Sequence, residues 1–143
     1  MDYWNTIGTW ATAVVTAIGV VLVIIQLHLA RRQARTTFEE SLNKEYREIT
    51  KDLPMEAFYK KFDGDPMALF VKNKVAFYRY FDLSNEQVFL ATKKKEKISD
   101  TRYKEWRNGI IGNLTRPVFE TVFKHIRSET GDFSELDTLL KSP

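Results

Sequence analysis

The sequence predicts an all-α protein: one N-terminal transmembrane helix, continuous with a long helix, and a small cytoplasmic helical bundle. Three observations carry this. Residues 3–30 contain no Asp, Glu, Lys or Arg, an uncharged run of 28 residues, long enough to cross a bilayer at ~1.5 Å per residue. Beyond it, apolar residues recur at spacings of three and four, the period of helices with one buried face. No segment alternates apolar and polar residues between hairpin turns, which a half-buried strand requires. The chain of 143 residues divides into 3–30 as transmembrane helix, 31–53 as juxtamembrane and linker helix, and 54–143 as cytoplasmic helical domain.

The first element reads as a retained membrane helix. A secretory signal begins with positive charge and ends at small residues. Here Asp2 precedes the apolar run, and Arg31, Arg32 and Arg35 follow it. The positive-inside rule then places the N-terminus outside and residues 31–143 in the cytoplasm. Tyr3, Trp4 and Trp10 fit an outer aromatic belt.

This helix is not uniformly apolar. Asn5, Thr9, Thr12, Thr16, Gly19, Val23, Gln26, Ala30 and Gln33 follow one another at alternating steps of four and three. That is a heptad seam, the period of left-handed packing between parallel helices. Ile7, Trp10, Val14, Ile18, Val21, Leu22, Ile25 and Leu29 occupy the other faces and suit lipid. Small and hydroxyl residues let membrane helices approach closely, and Asn or Gln can hydrogen-bond across them. The seam fits a dry interface in a homo-oligomer, the lining of a water-filled pore with Val23 as its constriction, or incidental polarity in a monomeric anchor. In a pore, Arg31, Arg32 and Arg35 would form a basic inner mouth.

The next helix covers 36–53, with Phe38, Leu42, Tyr46 and Ile49 on its apolar face. Thr36 with Glu39, or Thr37 with Glu40, offers a capping box. The absence of Gly and Pro between Ala30 and Glu40 favours one unbroken helix. Pro54 opens a short helix to Phe62, and "DGDP" is a turn signal. A helix over 66–81 carries Phe70, Lys74, Phe77 and Phe81 on one face. Ser84 caps a short helix to Ala91, and Lys93, Lys94, Lys95 and Lys97 make a basic loop. Ser99 or Asp100 starts a helix with Tyr103, Trp106, Ile110, Ile111 and Leu114 as its stripe. Thr115 caps the next, Pro117 lies in its first turn, and Val118, Phe119, Val122, Phe123 and Ile126 face the core. Gly131 stops it. A last helix, 133–140, contributes Phe133, Leu136, Leu139 and Leu140.

The strings "FYRYFDLSNEQVFL" and "ISDTRYKEWRNGIIGNLTRPVFETVFKHI" resemble an uncharacterised family of bacterial single-pass membrane proteins with a small cytoplasmic helical domain. The likeness covers residues 36–140 in pattern and is concentrated in residues 77–126. In layout the chain is also similar to membrane pore effectors of anti-phage defence, such as the pore accessory protein of type VI-B CRISPR and the DNA-gated channel subunit of Hailong. The resemblance implies a bacterial inner-membrane protein. The Arg and His of the nuclease-like family to which the CRISPR pore protein belongs have no counterpart, since Arg116 and His125 stand too far apart.

Enzyme chemistry finds no support. The chain has no cysteine, which removes thiolate metal sites and cysteine nucleophiles together. "RNGIIGNL" lacks the strand and the Lys-Ser/Thr of a phosphate loop. No carboxylate is expected at ligand spacing on the face of either histidine, His28 or His125, and His125 reads as a helix-end residue. Asp63 and Asp65 read as turn residues, without the further oxygens of a calcium loop. No metal or cofactor is expected. The basic loop Lys93–Lys97 fits a solvated loop, a contact to anionic headgroups, or a site for a nucleotide or oligonucleotide signal. The expected partners are the bilayer, further copies of the chain, and such a signal or a partner protein. The leading expectation is an oligomeric pore that perturbs membrane potential; the alternative is a membrane-anchored adaptor that recruits a partner through its helical domain.

Overall fold

The computed structural model describes residues 3–141, without the side chains of residues 4–7. The expected places of Trp4 and Ile7, and of Asn5 at the head of the seam, lie outside the described residues. Among these residues the chain forms six α-helices, one 3₁₀ turn and no strand, so the all-α class holds. The helices are α1 (Tyr3–Asp52), α2 (Pro66–Lys72), α3 (Lys74–Lys93), α4 (Asp100–Leu114), α5 (Pro117–Thr130) and α6 (Ser134–Lys141), with the 3₁₀ turn at Met55–Phe58. The chain forms two units, residues 1–37 and 38–143.

In the first unit α1 runs without a break, as the absence of Gly and Pro near its middle leads one to expect. Neither capping box forms: the Thr36 hydroxyl instead donates to the Arg32 carbonyl at 3.2 Å within the helix. Every residue from Gly8 to Ala34 is exposed. Among the described residues this is the one helix long and apolar enough to cross a membrane.

The second unit begins at Phe38, so it takes in the last turns of α1, which the sequence pattern assigns to a linker. Leu42 and Ile49 are buried there, with Leu53 and Ala57 just beyond. The centre of this unit is aromatic. Phe119 of α5 lies 4.8 Å from Tyr80, 5.7 Å from Phe77 and 5.3 Å from Phe58, centroid to centroid. Phe81 packs on Phe123 at 5.3 Å. Tilted and edge-to-face pairs of this kind add to the gain from burial alone.

Several local boundaries differ from those the sequence pattern predicts. The helix expected over 66–81 breaks at Asn73, whose side-chain amide donates to the Leu69 carbonyl at 2.9 Å. That local bond competes with the helical ladder. The boundary expected at Ser84 is absent: α3 continues to Lys93 with Ser84 buried inside it. The short helix expected over 54–62 shrinks to the 3₁₀ turn. Thr115 ends α4 rather than capping α5, whose N-cap is Arg116. Ser99 does cap α4, accepting from Arg102 N–H at 3.4 Å. Asp65 caps α2, accepting from Met67 N–H at 2.8 Å. Gly131 ends α5 in the left-handed region at φ 69°. Phe133, expected inside the last helix, precedes α6 at φ 69°. A bulky side chain there is strained, and its ring packs against Phe81 at 6.1 Å.

Candidate functional site

Two places carry the chemistry: the outer face of α1, and the end of the compact unit where α1 meets the turn before α4. On α1, Thr9, Thr12, Thr16, Gly19, Val23 and Gln26 are all exposed. On a straight helix a heptad line drifts by about 20° per seven residues, so these six hold one strip. The Thr12 hydroxyl donates to the Gly8 carbonyl at 2.9 Å, and the Thr16 hydroxyl donates to the Thr12 carbonyl at 2.9 Å. Their donors are thus satisfied inside the helix. What these two threonines turn outward is a methyl group and an acceptor oxygen. A Cβ added at Gly19 would meet nothing within 4 Å, so the strip is open there.

Arg31 and Arg32 stand off this strip rather than extend it, and Arg35 falls on the opposite face. Each residue of an α-helix turns by about 100°, so Arg31 stands a hundred-degree step past Ala30. Arg32 stands the same step before Gln33. Arg31 and Arg32 are exposed and Arg35 is half-buried.

In the compact unit, Lys93 is the last residue of α3, and Lys94, Lys95 and Lys97 form an exposed turn. Lys94 N–H donates to the Leu90 carbonyl at 2.9 Å, and Lys97 N–H donates to the Lys94 carbonyl at 2.8 Å. Ile98 then buries its side chain. Ser99 N–H donates to the Glu39 carboxylate at 2.5 Å, and Arg102 approaches the same group at 3.8 Å. Glu39 is only 7% exposed. A buried carboxylate is tolerated when it is paired and hydrogen-bonded in this way. One turn further along α1, the Asn43 side chain accepts from the Trp106 indole at 2.7 Å.

A second polar link lies deeper. The Asn113 amide of α4 donates to the Tyr80 hydroxyl at 2.8 Å and to the Tyr46 hydroxyl at 3.3 Å. It ties α1, α3 and α4 through one side chain. Burial pushes the Tyr80 phenol well above its ordinary range, and the neighbouring Tyr46 adds to this. Tyr80 therefore stays neutral and serves as a hydrogen-bonding group.

Sequence pattern alone does not single out Glu39, Asn43 or Asn113. Glu39 and Asn43 sit beside Leu42 and Tyr46 on the predicted buried face, which is a legible signal. Asn113 sits likewise on the predicted stripe, three residues after Ile110, but its partners, 33 and 67 residues away, leave no trace in the sequence. His125 differs from expectation: Glu129, four residues on, stands 3.5 Å from its Nε2. The His125 ring also packs against Phe70, centroids 5.5 Å apart and planes at 72°. No third ligand joins His125 and Glu129 among the described residues.

A groove of about 520 Å³ along α5 is lined by Leu114, Phe123 and Leu140 together with the charged residues Glu120, Lys124 and Arg127. These charges are paired: Lys124 with Glu120 at 2.6 Å, and Arg127 with Asp137. No family model matches the chain, and neither a curated protein nor a solved structure does.

Proposed function

We propose that the chain is a single-pass protein of the bacterial inner membrane that self-associates along the α1 strip and conducts ions. The N-terminus is outside, and residues 31–143 are cytoplasmic. The observation that carries this reading is the strip itself: polar and small residues, with Val23 among them, kept in line over Thr9–Gln26 on the exposed part of an unbroken helix. Acceptor oxygens whose donors are already satisfied solvate cations without holding them tightly, which conduction needs. The compact unit gates the pore, since its first turns are the last turns of α1. Opening depolarises the membrane, as in the anti-phage pore effectors that the layout resembles.

Purified full-length protein in liposomes tests it. The expected result is ion flux that falls at least tenfold when Thr12→Leu and Thr16→Leu are combined. No flux under any condition, with cellular toxicity unchanged in the double variant, sinks the pore.

The groove supports a second reading, an anchored adaptor that holds a partner protein against Leu114, Phe123 and Leu140. Apolar clefts with a few rim charges are the common form of binding sites. Replacing residues 3–30 by an unrelated membrane span separates the two readings. The adaptor keeps its function; the pore loses it.

A further inference from the structure

The lysine turn is a built platform, held at one particular end of the compact unit. Lys93, Lys94, Lys95 and Lys97 are all exposed, and none forms an ion pair among the described residues. Against these four lysines the turn carries one acid, Glu96. Both ends are fastened. The Leu90 carbonyl holds the first turn residue, while buried Ile98 and the Ser99 bond to Glu39 hold the last. Glu39 is the second residue of the compact unit and follows Ala30, the last residue of the uncharged run, by nine residues. The fold thus fastens a turn with four unpaired lysines to Glu39, at the start of the compact unit.

From this juxtaposition we propose that the Lys93–Lys97 turn docks on anionic lipid headgroups of the membrane that α1 spans. The inference rests on the membrane reading of α1. Lysine suits such docking because it is a point-charge partner for phosphate on a flexible stem and needs no fixed fork geometry. Basic residues close to a membrane gain from the negative potential of an anionic leaflet, and the gain falls away within about one Debye length. A nucleic-acid site would call for aromatic side chains to stack bases beside the charge. Residues 92–97 contain no aromatic residue, and one exposed ring, Phe89, precedes Lys93 by a helical turn, short of the successive rings such stacking uses.

The chain has no cysteine, so Glu96→Cys provides a unique point for a polarity-sensitive dye. The labelled full-length protein is placed in nanodiscs of phosphatidylcholine alone or mixed with phosphatidylglycerol. The expected result is a blue shift of the dye only with phosphatidylglycerol, reversed by high salt. Each Lys→Gln change among Lys93, Lys94, Lys95 and Lys97 should lower the docked-to-free ratio by roughly fivefold. Identical spectra in the two lipid mixtures overturn the proposal. So does a shift in neutral nanodiscs on adding a short oligonucleotide, with none from phosphatidylglycerol. Retention in neutral nanodiscs through a high-salt wash is scored separately. Protein that washes off defeats the membrane reading of α1, whereas protein that stays but ignores phosphatidylglycerol defeats only the docking.

Discussion

Residues 8–34 and residues 38–141 are both rich in apolar side chains, yet they treat them oppositely. The first stretch exposes every one of them: Val14, Ile18, Leu22, Ile25 and Leu29 are all about half exposed. The second buries most of its own, with Phe77, Tyr80, Phe81 and Phe119 0% exposed, and leaves only scattered ones such as Val71 and Val75 at the surface. The residue types differ as well. The exposed stretch is aliphatic, whereas the core of the compact unit is dominated by rings. A contiguous apolar surface of that size on a folded chain marks a surface with a partner, either lipid or protein. The compact unit has a closed core of its own; the N-terminal segment has none.

The sharpest way to press this contrast is to remove one side chain from each region. Phe119→Ala deletes the ring that touches Phe58, Phe77, Tyr80 and Phe81. Loss of a buried Phe costs about 3–5 kcal/mol, against ~5–15 kcal/mol for a whole domain. The near-UV circular dichroism melt of the compact unit should drop steeply or vanish. Leu22→Ala in the exposed stretch should leave that melt in place. Equal effects from the two would mean that Leu22 is buried in the isolated chain.

A smaller effect is expected at the polar link. Asn113→Ala removes the amide shared by Tyr80 and Tyr46. Leaving buried hydroxyls short of a partner costs about 1–3 kcal/mol. Urea unfolding should show a lower midpoint with an unchanged slope. A midpoint equal to that of the parent protein would show that the link contributes nothing.

Glu39 should follow closely behind. Glu39→Gln keeps an acceptor for Ser99 N–H but gives up the charge facing Arg102. A hydrogen bond to a charged group contributes about 1.5–3 kcal/mol and a neutral one about 1 kcal/mol. The expected loss is the difference, roughly 1 kcal/mol. Amide exchange at Ser99 should quicken while that of α5 stays unchanged. Exchange that rises equally throughout would show that Glu39 supports the whole unit rather than the turn.

The same contrast explains what is legible in one dimension. The long apolar stretch of α1 is legible because charge exclusion over residues 3–30 is a one-dimensional signal. The stripe of α5 is legible because Val118, Phe119, Val122, Phe123 and Ile126 follow the helical period, and all are buried. The break at Asn73 is not, because it depends on a side chain competing with its own backbone. The continuity through Ser84 is hidden for the opposite reason. "DLSNEQ" has the look of a helix start, yet Ser84 and Gln87 fall in line with Tyr80 on the buried side of α3. Packing overrides the local signal. The burial of Asn113 shows in its spacing from Trp106 and Ile110, but the tie it makes between three helices leaves no trace there. The strip on α1 shows in its heptad steps, but the internal bonds of Thr12 and Thr16 are visible only in three dimensions.

The smallest expected effect lies at the end of the compact unit, on α6. Asp137 accepts from Lys141 at 2.7 Å and pairs with Arg127 of α5. These contacts hold its carboxyl below the ordinary 3.8, the Lys141 hydrogen bond foremost. A carboxylate depressed in the folded state contributes stability above its unfolded pKa and loses it as pH falls through the folded value. The docking of α6 should therefore weaken only at pH below 3.8. Because both cations stand at the surface, the loss should be slight. Carboxyl-detected NMR of Asp137 checks the sign: its titration should lie below that of an ordinary aspartate and move up in Lys141→Ala. An unmoved midpoint in that variant would assign the depression to Arg127 alone, and Arg127→Ala would then have to raise it. In neither case should residues 8–34 respond, because they contain no carboxyl group.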